Sequence, residues 1–477
     1  MRYIIRLLAN YYSIELREMQ QKKAVNRMLA IPEGVRELLE RLEAAGYEAW
    51  CVGGCVRDAL LADLRVLNGT RPPVRAPEDW DVTTSALPEE VMALFGDRAL
   101  PTGLRHGTVT VKTPGRAVEV TTYRLDGEYR DRRHPERVTF TRSLEEDLAR
   151  RDFTVNAMAL SLRGELRDPL GGRRDLESGV LRCVGDPDRR FQEDALRIMR
   201  GMRFAAVLGL EGEDETGAAM ERNRELLRDI APERIQTEMT KLLCGRCARE
   251  ALDRHPGIVG VFWPEVLPMV GFDQRNIHHC YTVWDHSTTA LANTPPVPEL
   301  RYAALLHDIG KPSVFTLDEG GVGHFYGHAG RSCELAEGML RRLRLPNEFR
   351  ERVVRLIAWH DRDIPRTDKG VGRALRRLGE EELRLLLALK RADNLAQAPA
   401  YRGRQLEIAK GEAILDRLLA EDACFSLRQL AVNGNDLKAL GLRGPAVGQT
   451  LETLLNRVVD GELPNERAAL VEFVTES

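Results

Sequence analysis

The chain has 477 residues, which is too long for one compact core and predicts about three domains. Its hydrophobic fraction of 43% and charged fraction of 30% are those of an ordinary globular protein, and the lack of an apolar run of roughly 18 residues excludes a membrane-spanning protein. The formal net charge of −3 neither favours nor excludes nucleic-acid binding, because a protein with a nearly neutral total charge can still have a basic groove.

The eight cysteines form no regular framework. The close pairs are Cys51/Cys55 and Cys244/Cys247, and neither has the second pair that a zinc tetrahedron needs. Buried free thiols are therefore predicted, which fits a reducing cytoplasm as the location of the protein.

Residues 1–30 are predicted to be an N-terminal extension, because folding signals begin only at Ile31. The segment mixes Ile, Leu and Tyr with charges and lacks the long apolar core of a signal peptide. Residues 1–27 are either an amphipathic extension or the product of a start codon upstream of a natural start at Met28. We favour the second interpretation.

A small mixed α+β head follows the extension. Pro32 opens a predicted helix and Gly46 ends it, because the apolar residues between them recur at helical spacing. These residues are Val35, Leu38, Leu39, Leu42 and Ala45. Short segments rich in Val and Thr predict strands at 48–52, 79–83, 108–112 and 117–123. From about Glu145 onward the pattern predicts almost only helices, so the fold class is an α+β head followed by an all-α body and tail.

The segment Glu78-Asp79-Trp80-Asp81-Val82 is the sharpest signal of a functional site. Residues i and i+2 of a strand point to the same face, so Asp79 and Asp81 are predicted to present two carboxylates side by side. Two such charges repel each other unless a cation lies between them, and Mg²⁺ prefers hard oxygen ligands of this kind. The pair alone is a weak signal, since D-x-D also occurs by chance in solvated turns.

The surroundings of the aspartates strengthen this interpretation. Gly53 and Gly54 lie at a predicted strand-to-helix turn, where glycines let backbone N–H groups approach a phosphate, and Arg57 adds a forked cation. Glu119 lies in the strand Val118-Glu119-Val120 and could complete a cluster of three carboxylates, although an exposed strand residue is an equal alternative. Three acids around two metal ions suit in-line phosphoryl transfer.

Four motifs occur in order along the head: GGxVRD at 53–58, DWD at 79–81, TGLRHGTVTV at 102–111 and RRDFTVNA at 150–157. Together they resemble the class II tRNA nucleotidyltransferases, which comprise the bacterial CCA-adding enzymes and their poly(A) polymerase relatives. The resemblance runs from about Tyr47 to Leu243. It implies a polymerase-β-like nucleotidyltransferase head.

The resemblance also implies roles for single residues. Asp79 and Asp81 would bind Mg²⁺, and residues 126–133 would form the mobile segment that such enzymes use between additions. The residues that would contact the nucleotide are Gly54, Arg57, Arg151, Asp152 and Asn156.

A predicted helix over Glu193–Arg200 places Asp194 and Arg197 at i and i+3, on one face of one turn. The pair could be a plain salt bridge within the helix, which would stabilise the fold by about a few tenths of a kcal/mol. It could also read a base, because cytosine and adenine both offer an amino donor beside a ring-nitrogen acceptor, whereas guanine and uracil do not. The resemblance implies the second role, with Arg200 and Arg203 following.

A second constellation lies in the body. His307 and Asp308 end an apolar helix, and further candidate metal ligands occur along the chain in the order expected of binuclear HD phosphohydrolases, which residues 278–397 resemble. The candidates are His286, His307, Asp308, His328, His360 and Asp393. Such a set suits Ni²⁺, Co²⁺ or Mn²⁺ and implies hydrolysis of phosphomonoesters or 2′,3′-cyclic phosphates. The alternative is a helical RNA-binding body in which catalysis is idle.

The sequence thus predicts an enzyme that adds C-C-A to the 3′ end of tRNA, with tRNA, CTP and ATP as partners and no membrane partner. The alternatives are a poly(A) polymerase, an enzyme that adds only C-C, and an enzyme whose principal activity is hydrolysis by the HD site. The predicted domains are a catalytic head at 31–170, a nucleotide-selecting neck at 171–245, an HD-type domain at 246–400 and a tRNA-binding tail at 401–477.

Overall fold

The computed structural model describes residues 31–67, 77, 79–127, 138–421 and 423–476, with the side chains of 63–67 excepted. Two compact units make up the chain, one ending at Ala231 and the other beginning at Pro232. The predicted extension at 1–30 and most of the predicted mobile segment at 126–133 lie outside the described residues. The domain boundaries given above remain predictions.

A sheet of seven strands, in the order β3-β4-β5-β2-β1-β8-β9, forms the centre of the head. The pair β2–β5 is parallel and the other neighbours are antiparallel. The head strands are β1 Ala49–Val52, β2 Asp81–Thr84, β3 Ala99–Gly103, β4 Thr108–Thr113, β5 Arg116–Thr122, β6 Arg124–Asp126, β7 Val138–Phe140, β8 Ala159–Leu160, β9 Leu166–Arg167, β10 Val180–Leu181 and β11 Glu211–Gly212.

Helices cover this sheet and continue into the neck. They are α1 Glu33–Ala44, α2 Gly54–Leu67, α3 Pro88–Phe95, α4 Leu144–Ala149, α5 Gly172–Ser178, α6 Pro187–Glu193, α7 Leu196–Leu208 and α8 Asp214–Arg222. The first helix forms as predicted: Pro32 precedes it, four of its apolar residues are buried, and Gly46 follows with a φ of 90° that favours glycine.

Three local predictions about the head are wrong. The strand around the aspartates begins at Asp81, so Asp79 precedes it. The predicted helix over 193–200 is broken at Asp194, which has extended φ and ψ between α6 and α7. The chain after Glu145 contributes β8 and β9 to the sheet, and strands of two residues are too short to show a periodicity.

The second unit is all-α apart from the hairpin β12 Thr316–Leu317 and β13 Gly323–His324. Its helices are α9 Pro232–Leu243, α10 Ala248–Arg254, α11 Pro256–Phe262, α12 Val283–Ala292, α13 Pro298–Leu306, α14 Lys311–Val314, α15 His328–Arg342, α16 Asn347–His360, α17 Asp368–Leu395, α18 Arg404–Ala420, α19 Gly434–Ala439, α20 Pro445–Val459 and α21 Arg467–Glu476. The helices α12, α13, α16 and α17 pack together around one core.

The predicted fold class, a mixed α+β head followed by a helical body and tail, is therefore confirmed. No helix among the described residues is long and apolar enough to cross a membrane.

Candidate functional site

Asp81 lies at the centre of the head sheet, and its two neighbours explain its position. As the first residue of β2, it pairs in antiparallel register with Val52, the last residue of β1, and in parallel register with Glu119 of β5. The register places Glu119 beside Asp81 on the adjacent strand; its role as a third metal ligand remains a prediction. Asp79, which precedes the strand, still acts electrostatically on Asp81.

The carboxylate cluster has the electrostatics of a cation site. Desolvation raises the pKa of Asp81, the negative charges of Glu119 and Asp79 raise it further, and Arg151 acts in the opposite direction. Like charges held this close destabilise one another unless a positive ion lies among them. Three exposed carboxylates on or beside these central strands offer hard oxygen donors and therefore fit a divalent cation that keeps part of its coordination for water and phosphate.

The turn after β1 is shaped to leave room beside this cluster. Gly53 has a φ of 77°, and a Cβ there would lie 3.4 Å from Nη1 of Arg151 and 3.8 Å from Oδ2 of Asp81. Gly54 then begins the 14-residue helix α2. Free backbone N–H groups at a helix start, next to an arginine and a carboxylate-bound cation, suit a triphosphate.

Asp147 is a residue that sequence reasoning missed. It is fully buried in α4, and its Oδ2 accepts hydrogen bonds from Oγ1 of Thr83 at 3.1 Å and Nη2 of Arg151 at 3.3 Å. Although burial raises its pKa, Arg150 and Arg151 outweigh burial and lower it below the ordinary value. Asp147 thus ties Arg151 to the strand that carries Asp81. The signal in the sequence was its position four residues before Arg151, a spacing at which an acid and an arginine can pair.

A buried polar network joins the GGxVRD and RRDFTVNA motifs. Nη1 of Arg57 donates to Oδ1 of Asn156 at 2.6 Å, and Nδ2 of Asn156 donates to Oδ1 of Asp152 at 3.0 Å. The other carboxylate oxygen of Asp152 accepts from Nε of Arg200 at 2.7 Å. Burial raises the pKa of Asp152, but the hydrogen bonds and charge of this network lower it well below its usual range. The structure therefore brings these predicted nucleotide contacts together.

Phe204 organises the arginines and was also missed from the sequence. The guanidinium carbons of Arg57, Arg200 and Arg203 lie 5.1, 5.4 and 4.1 Å from its ring centroid. Cation–π attraction holds planar cations against such a ring. Three arginines from α2 and α7 are consequently gathered at one place, where a polyanion would bind.

Asp194 caps the helical turn that carries Arg197, because its backbone carbonyl oxygen accepts a hydrogen bond from the N–H of Arg197 at 3.0 Å. Oδ1 of Asp194 accepts a hydrogen bond from the backbone N–H of Leu196 at 3.1 Å, which fixes the carboxylate at the start of α7. Buried Arg197 donates to Oε2 of Glu193 at 3.0 Å and to the carbonyl oxygen of Arg150 at 3.2 Å. The break in the helix thus orients both side chains separately, and Glu193 is a further residue that sequence reasoning did not assign.

The six predicted ligands of the body converge. Nε2 of His286 lies 3.4 Å from Nε2 of His307 and 2.9 Å from Oδ1 of Asp393. Nε2 of His328 lies 3.2 Å from Nε2 of His360 and 3.5 Å from Oδ1 of Asp308. Asp308 is the residue shared between two potential metal-binding groups, one with His286 and His307 and the other with His328 and His360.

The protonation pattern of the four histidines fits metal ligation. In each ring Nδ1 faces a backbone carbonyl oxygen, which can only accept, so Nδ1 carries the proton. The distances are 3.2 Å to Ala396, 2.9 Å to Ala304, 3.0 Å to Phe325 and 2.6 Å to Ile357. With Nδ1 engaged in this way, Nε2 of each ring points inward and is the ring atom available to a metal ion. Carbonyl-anchored imidazoles of this kind are typical of metal ligands.

The cluster opens into a cavity of about 310 Å³. Buried Lys311 lines it, with Nζ 2.7 Å from Oδ2 of Asp308 and 2.9 Å from Oε1 of Gln274. His279, which the sequence did not single out as a ligand, lines it as well, and burial followed by the charge of Lys311 lowers its pKa to about 3. The assignment of this site to a hydrolase remains a prediction.

Models of known families match three parts of the chain. A poly A polymerase head domain matches residues 49–182, an RNA-binding site of polymerase A matches 209–258, and a tRNA nucleotidyltransferase domain 2 matches 325–474. The first match contains the carboxylate cluster together with Arg57, Arg151, Asp152 and Asn156.

Individual relatives cover nearly the whole chain. The CCA-adding enzyme of Geobacillus kaustophilus is 35% identical over 442 residues, which is 92% of this chain and 95% of that protein. The crystal structure of the Bacillus stearothermophilus CCA-adding enzyme in complex with CTP has a TM-score of 0.68 and 31% identity, and the match covers 93% of this chain and 96% of that one. The Thermotoga maritima CCA-adding enzyme complexed with tRNA, at 18% identity and a TM-score of 0.57 over 95% of this chain and 98% of that one, shows the same fold.

The histidine cluster should bind a transition metal without any substrate. Adding Co²⁺ to the metal-free protein is expected to produce visible d–d absorption bands, because imidazole and carboxylate ligands create a ligand field. Loss of a hydrogen-bond partner behind a metal ligand weakens metal binding roughly 10–100-fold. His307→Gln, which removes a ligand itself, should weaken Co²⁺ binding by more than that. His255→Gln, outside the cluster, should leave the spectrum unchanged. Equal spectra for both variants would contradict the site.

Proposed function

Because this chain belongs to the family of CCA-adding tRNA nucleotidyltransferases, we propose that it adds C, C and A to the 3′ end of tRNA from CTP and ATP without a nucleic-acid template. The observation that supports this most directly is the placement of Asp81 between Glu119 and the Gly53 turn. Named relatives have been solved in complex with CTP and with tRNA. The family uses divalent metal ions, and we propose Mg²⁺ for this chain, held by Asp79 and Asp81.

The reaction joins the 3′-oxygen of the tRNA to the α-phosphorus of the nucleotide, while the bond to the β-phosphate oxygen breaks and pyrophosphate leaves. In this proposal the carboxylates of Asp79, Asp81 and Glu119 would hold the metal ion next to the 3′-oxygen and the α-phosphate. When bound, Mg²⁺ supplies positive charge that balances the phosphates and the leaving pyrophosphate. Arg151, held by Asp147, is the protein cation nearest to Gly53 and would contact the triphosphate beside it.

The buried network around Asp152 orients the nucleotide in this proposal. Gly54 offers its backbone N–H at the start of α2 to the phosphates, and Arg57 adds its charge. Asn156 and Asp152 would face the sugar, and Arg200 and Arg203, gathered on Phe204, would neutralise the phosphates. Because these side chains already bond one another, they are oriented before the nucleotide arrives.

Base selection is assigned to Asp194 and Arg197. A carboxylate accepts the amino hydrogen that cytosine and adenine share, and a guanidinium donates to the neighbouring ring nitrogen. The break between α6 and α7 favours this role over a plain intrahelical salt bridge between the two residues. Asp194 caps the turn that carries Arg197, with its carboxylate fixed by the backbone N–H of Leu196, while Glu193 and a carbonyl oxygen hold the guanidinium of Arg197.

Nucleotide addition should depend on Asp81. With tRNA lacking its C-C-A end, CTP and ATP together should give three added residues, and Asp81→Asn should slow addition by at least about a hundredfold. The same variant should keep or raise the melting temperature, because the raised pKa of Asp81 shows that folding disfavours its charged form. Glu89→Gln, an exposed acid of α3, is the matched control.

The products of the same assay separate the related activities. Long A tails on tRNA ending in C-C would indicate a poly(A) polymerase, and extension that stops after C-C would indicate a CC-adding enzyme. Either product would contradict full C-C-A addition.

Asp194→Ala should relax the choice of base. The substitution removes the acceptor for the amino group of the base. A site of this kind discriminates between bases by a factor near 10⁴, and the rate of UTP and GTP incorporation relative to CTP and ATP should rise by about tenfold or more. Measurement requires single-nucleotide incorporation with each triphosphate. Asp214→Asn, which changes an exposed acid at the start of α8, is the control. An unchanged ratio with lower activity for all bases would assign Asp194 a structural role only.

The histidine cluster favours a second activity, hydrolysis of a 2′,3′-cyclic phosphate or phosphomonoester. In that reaction the oxygen of water bonds to phosphorus, a P–O ester bond breaks, and the leaving ribose oxygen takes a proton. When bound, Ni²⁺, Co²⁺ or Mn²⁺ supplies Lewis acidity toward the phosphoryl oxygens. Lys311 stands beside Asp308 in the same cavity and adds positive charge for a phosphate.

The two activities should be separable by single substitutions. Asp308→Asn should abolish hydrolysis of 2′,3′-cyclic AMP in the presence of each of these metals and leave C-C-A addition within about twofold, because Asp308 joins both potential metal-binding groups. Asp81→Asn should do the reverse. Absence of hydrolysis by the unmodified protein with every metal would refute the second activity and leave the first unaffected.

A further inference from the structure

An exposed aromatic ring stands at the rim of the histidine cavity. Tyr326 lies between the hairpin β12–β13 and helix α15, with 78% of its surface exposed, and it lines the same cavity as His328 and Asp308. It precedes His328 by two residues, so their Cα atoms are at most about 7 Å apart. A large ring that is exposed and lines a cavity is accessible to a ligand bound there.

The ring of Tyr326 is held in place. It stacks on the ring of His324 with centroids 5.3 Å apart and an interplanar angle of 7°, and its hydroxyl group lies 3.4 Å from Nδ1 of His324. Nε2 of His324 in turn lies 2.9 Å from Oδ2 of Asp318, whose other oxygen accepts from the backbone N–H groups of Gly320 and Val322. One face of the tyrosine is covered by His324, and most of the remaining ring surface meets solvent.

The size and charge of the cavity indicate what such a ring would bind. A volume of about 310 Å³ is at the lower end of small-molecule sites, so it suits a ribose and a phosphate, with a base left at the rim. Lys311 and Arg404 both line the cavity and favour a phosphate over a neutral sugar. Asp361 and Asp393 also line it, which limits how many phosphates it would accept.

We propose that Tyr326 is a stacking platform for the base of a nucleoside whose 2′ or 3′ oxygen carries the phosphate bound at the histidine cluster. The ligand is the 3′-terminal nucleotide of an RNA or the corresponding free nucleotide. The inference rests on the second activity proposed above and names its substrate class. Aromatic rings stack on any of the four bases, so the platform selects for a base without selecting its identity.

A binding experiment tests the platform without catalysis. Adenosine 2′-monophosphate and ribose 2-phosphate are titrated by calorimetry into the full chain without added transition metal, so that neither phosphomonoester is hydrolysed, and with CTP and Mg²⁺ saturating the head. Tyr326→Ala should weaken binding of the adenosine compound about tenfold to a hundredfold, the range that loss of one stacked base corresponds to. Tyr326→Phe should retain binding within about threefold, since the ring persists. Binding of ribose 2-phosphate should be unchanged in both variants.

Two further variants separate the platform from general damage to the hairpin. His324→Ala removes the ring behind Tyr326 and should give a loss between those of the Phe and Ala variants. Leu317→Ala alters an exposed residue of β12 and should have no effect. Equal affinity of Tyr326→Ala and the unmodified chain for the adenosine compound would overturn the proposal. Equal losses for the adenosine and ribose compounds would do so as well, because they would indicate a structural role.

Hydrolysis distinguishes the two sources of the ligand. For the unmodified chain and Tyr326→Ala, kcat/KM is compared for 2′,3′-cyclic AMP, for an oligoribonucleotide ending in a 2′,3′-cyclic phosphate, and for methyl riboside 2,3-cyclic phosphate. The substitution should lower the first two values and spare the third. A larger kcat/KM for the oligonucleotide identifies an RNA end as the substrate, and a larger value for 2′,3′-cyclic AMP identifies a free nucleotide. If no substrate is hydrolysed, the hydrolase proposal fails, while the binding experiment still decides the platform.

Discussion

Crowded negative charge is the constraint on which both sites depend. In the head, the parallel register of β2 and β5 fixes Asp81 next to Glu119, and desolvation, followed by the like charges, raises the pKa of Asp81. In the body, carboxylates and the lone pairs of imidazoles converge on Asp308. Neither arrangement is favourable by itself. Each is sustained by the surrounding fold and is compensated by nearby cations, which are arginines in the head and Lys311 in the body.

The two sites achieve rigidity in different ways. In the head, side chains from distant motifs bond to one another, as Arg57 does to Asn156 and Asp152 does to Arg200, so orientation depends on the packing of several elements. In the body, each imidazole is oriented by a backbone carbonyl. A network of side chains is rigid as long as each member keeps its partner, whereas a carbonyl anchor fixes one ring by itself.

Much of this was predictable from the sequence, because the residues that carry charge lie in long motifs and the helices have a clear period. The first helix, the carboxylate cluster and the convergence of six ligands were predicted from such patterns. The strands β8 and β9 were not, because two residues have no period. Asp147 and Phe204 were missed because their roles arise from tertiary contacts with Thr83 and with three arginines. The break at Asp194 was missed because the residues around it favour a helix.

The carbonyl anchors of the histidines have a consequence for how the protein matures. Three of the rings, those of His307, His328 and His360, bond to the carbonyl oxygen three residues earlier in their own segments. Each ring is therefore set as its own segment folds, before any distant ligand arrives. Folding and metal uptake are then separate events, unlike those of a zinc finger, whose structure forms only around its ion. A chain of this design can be synthesised and folded before a transition metal reaches its histidine cluster, while the Mg²⁺-dependent chemistry proposed for its head goes on without that metal.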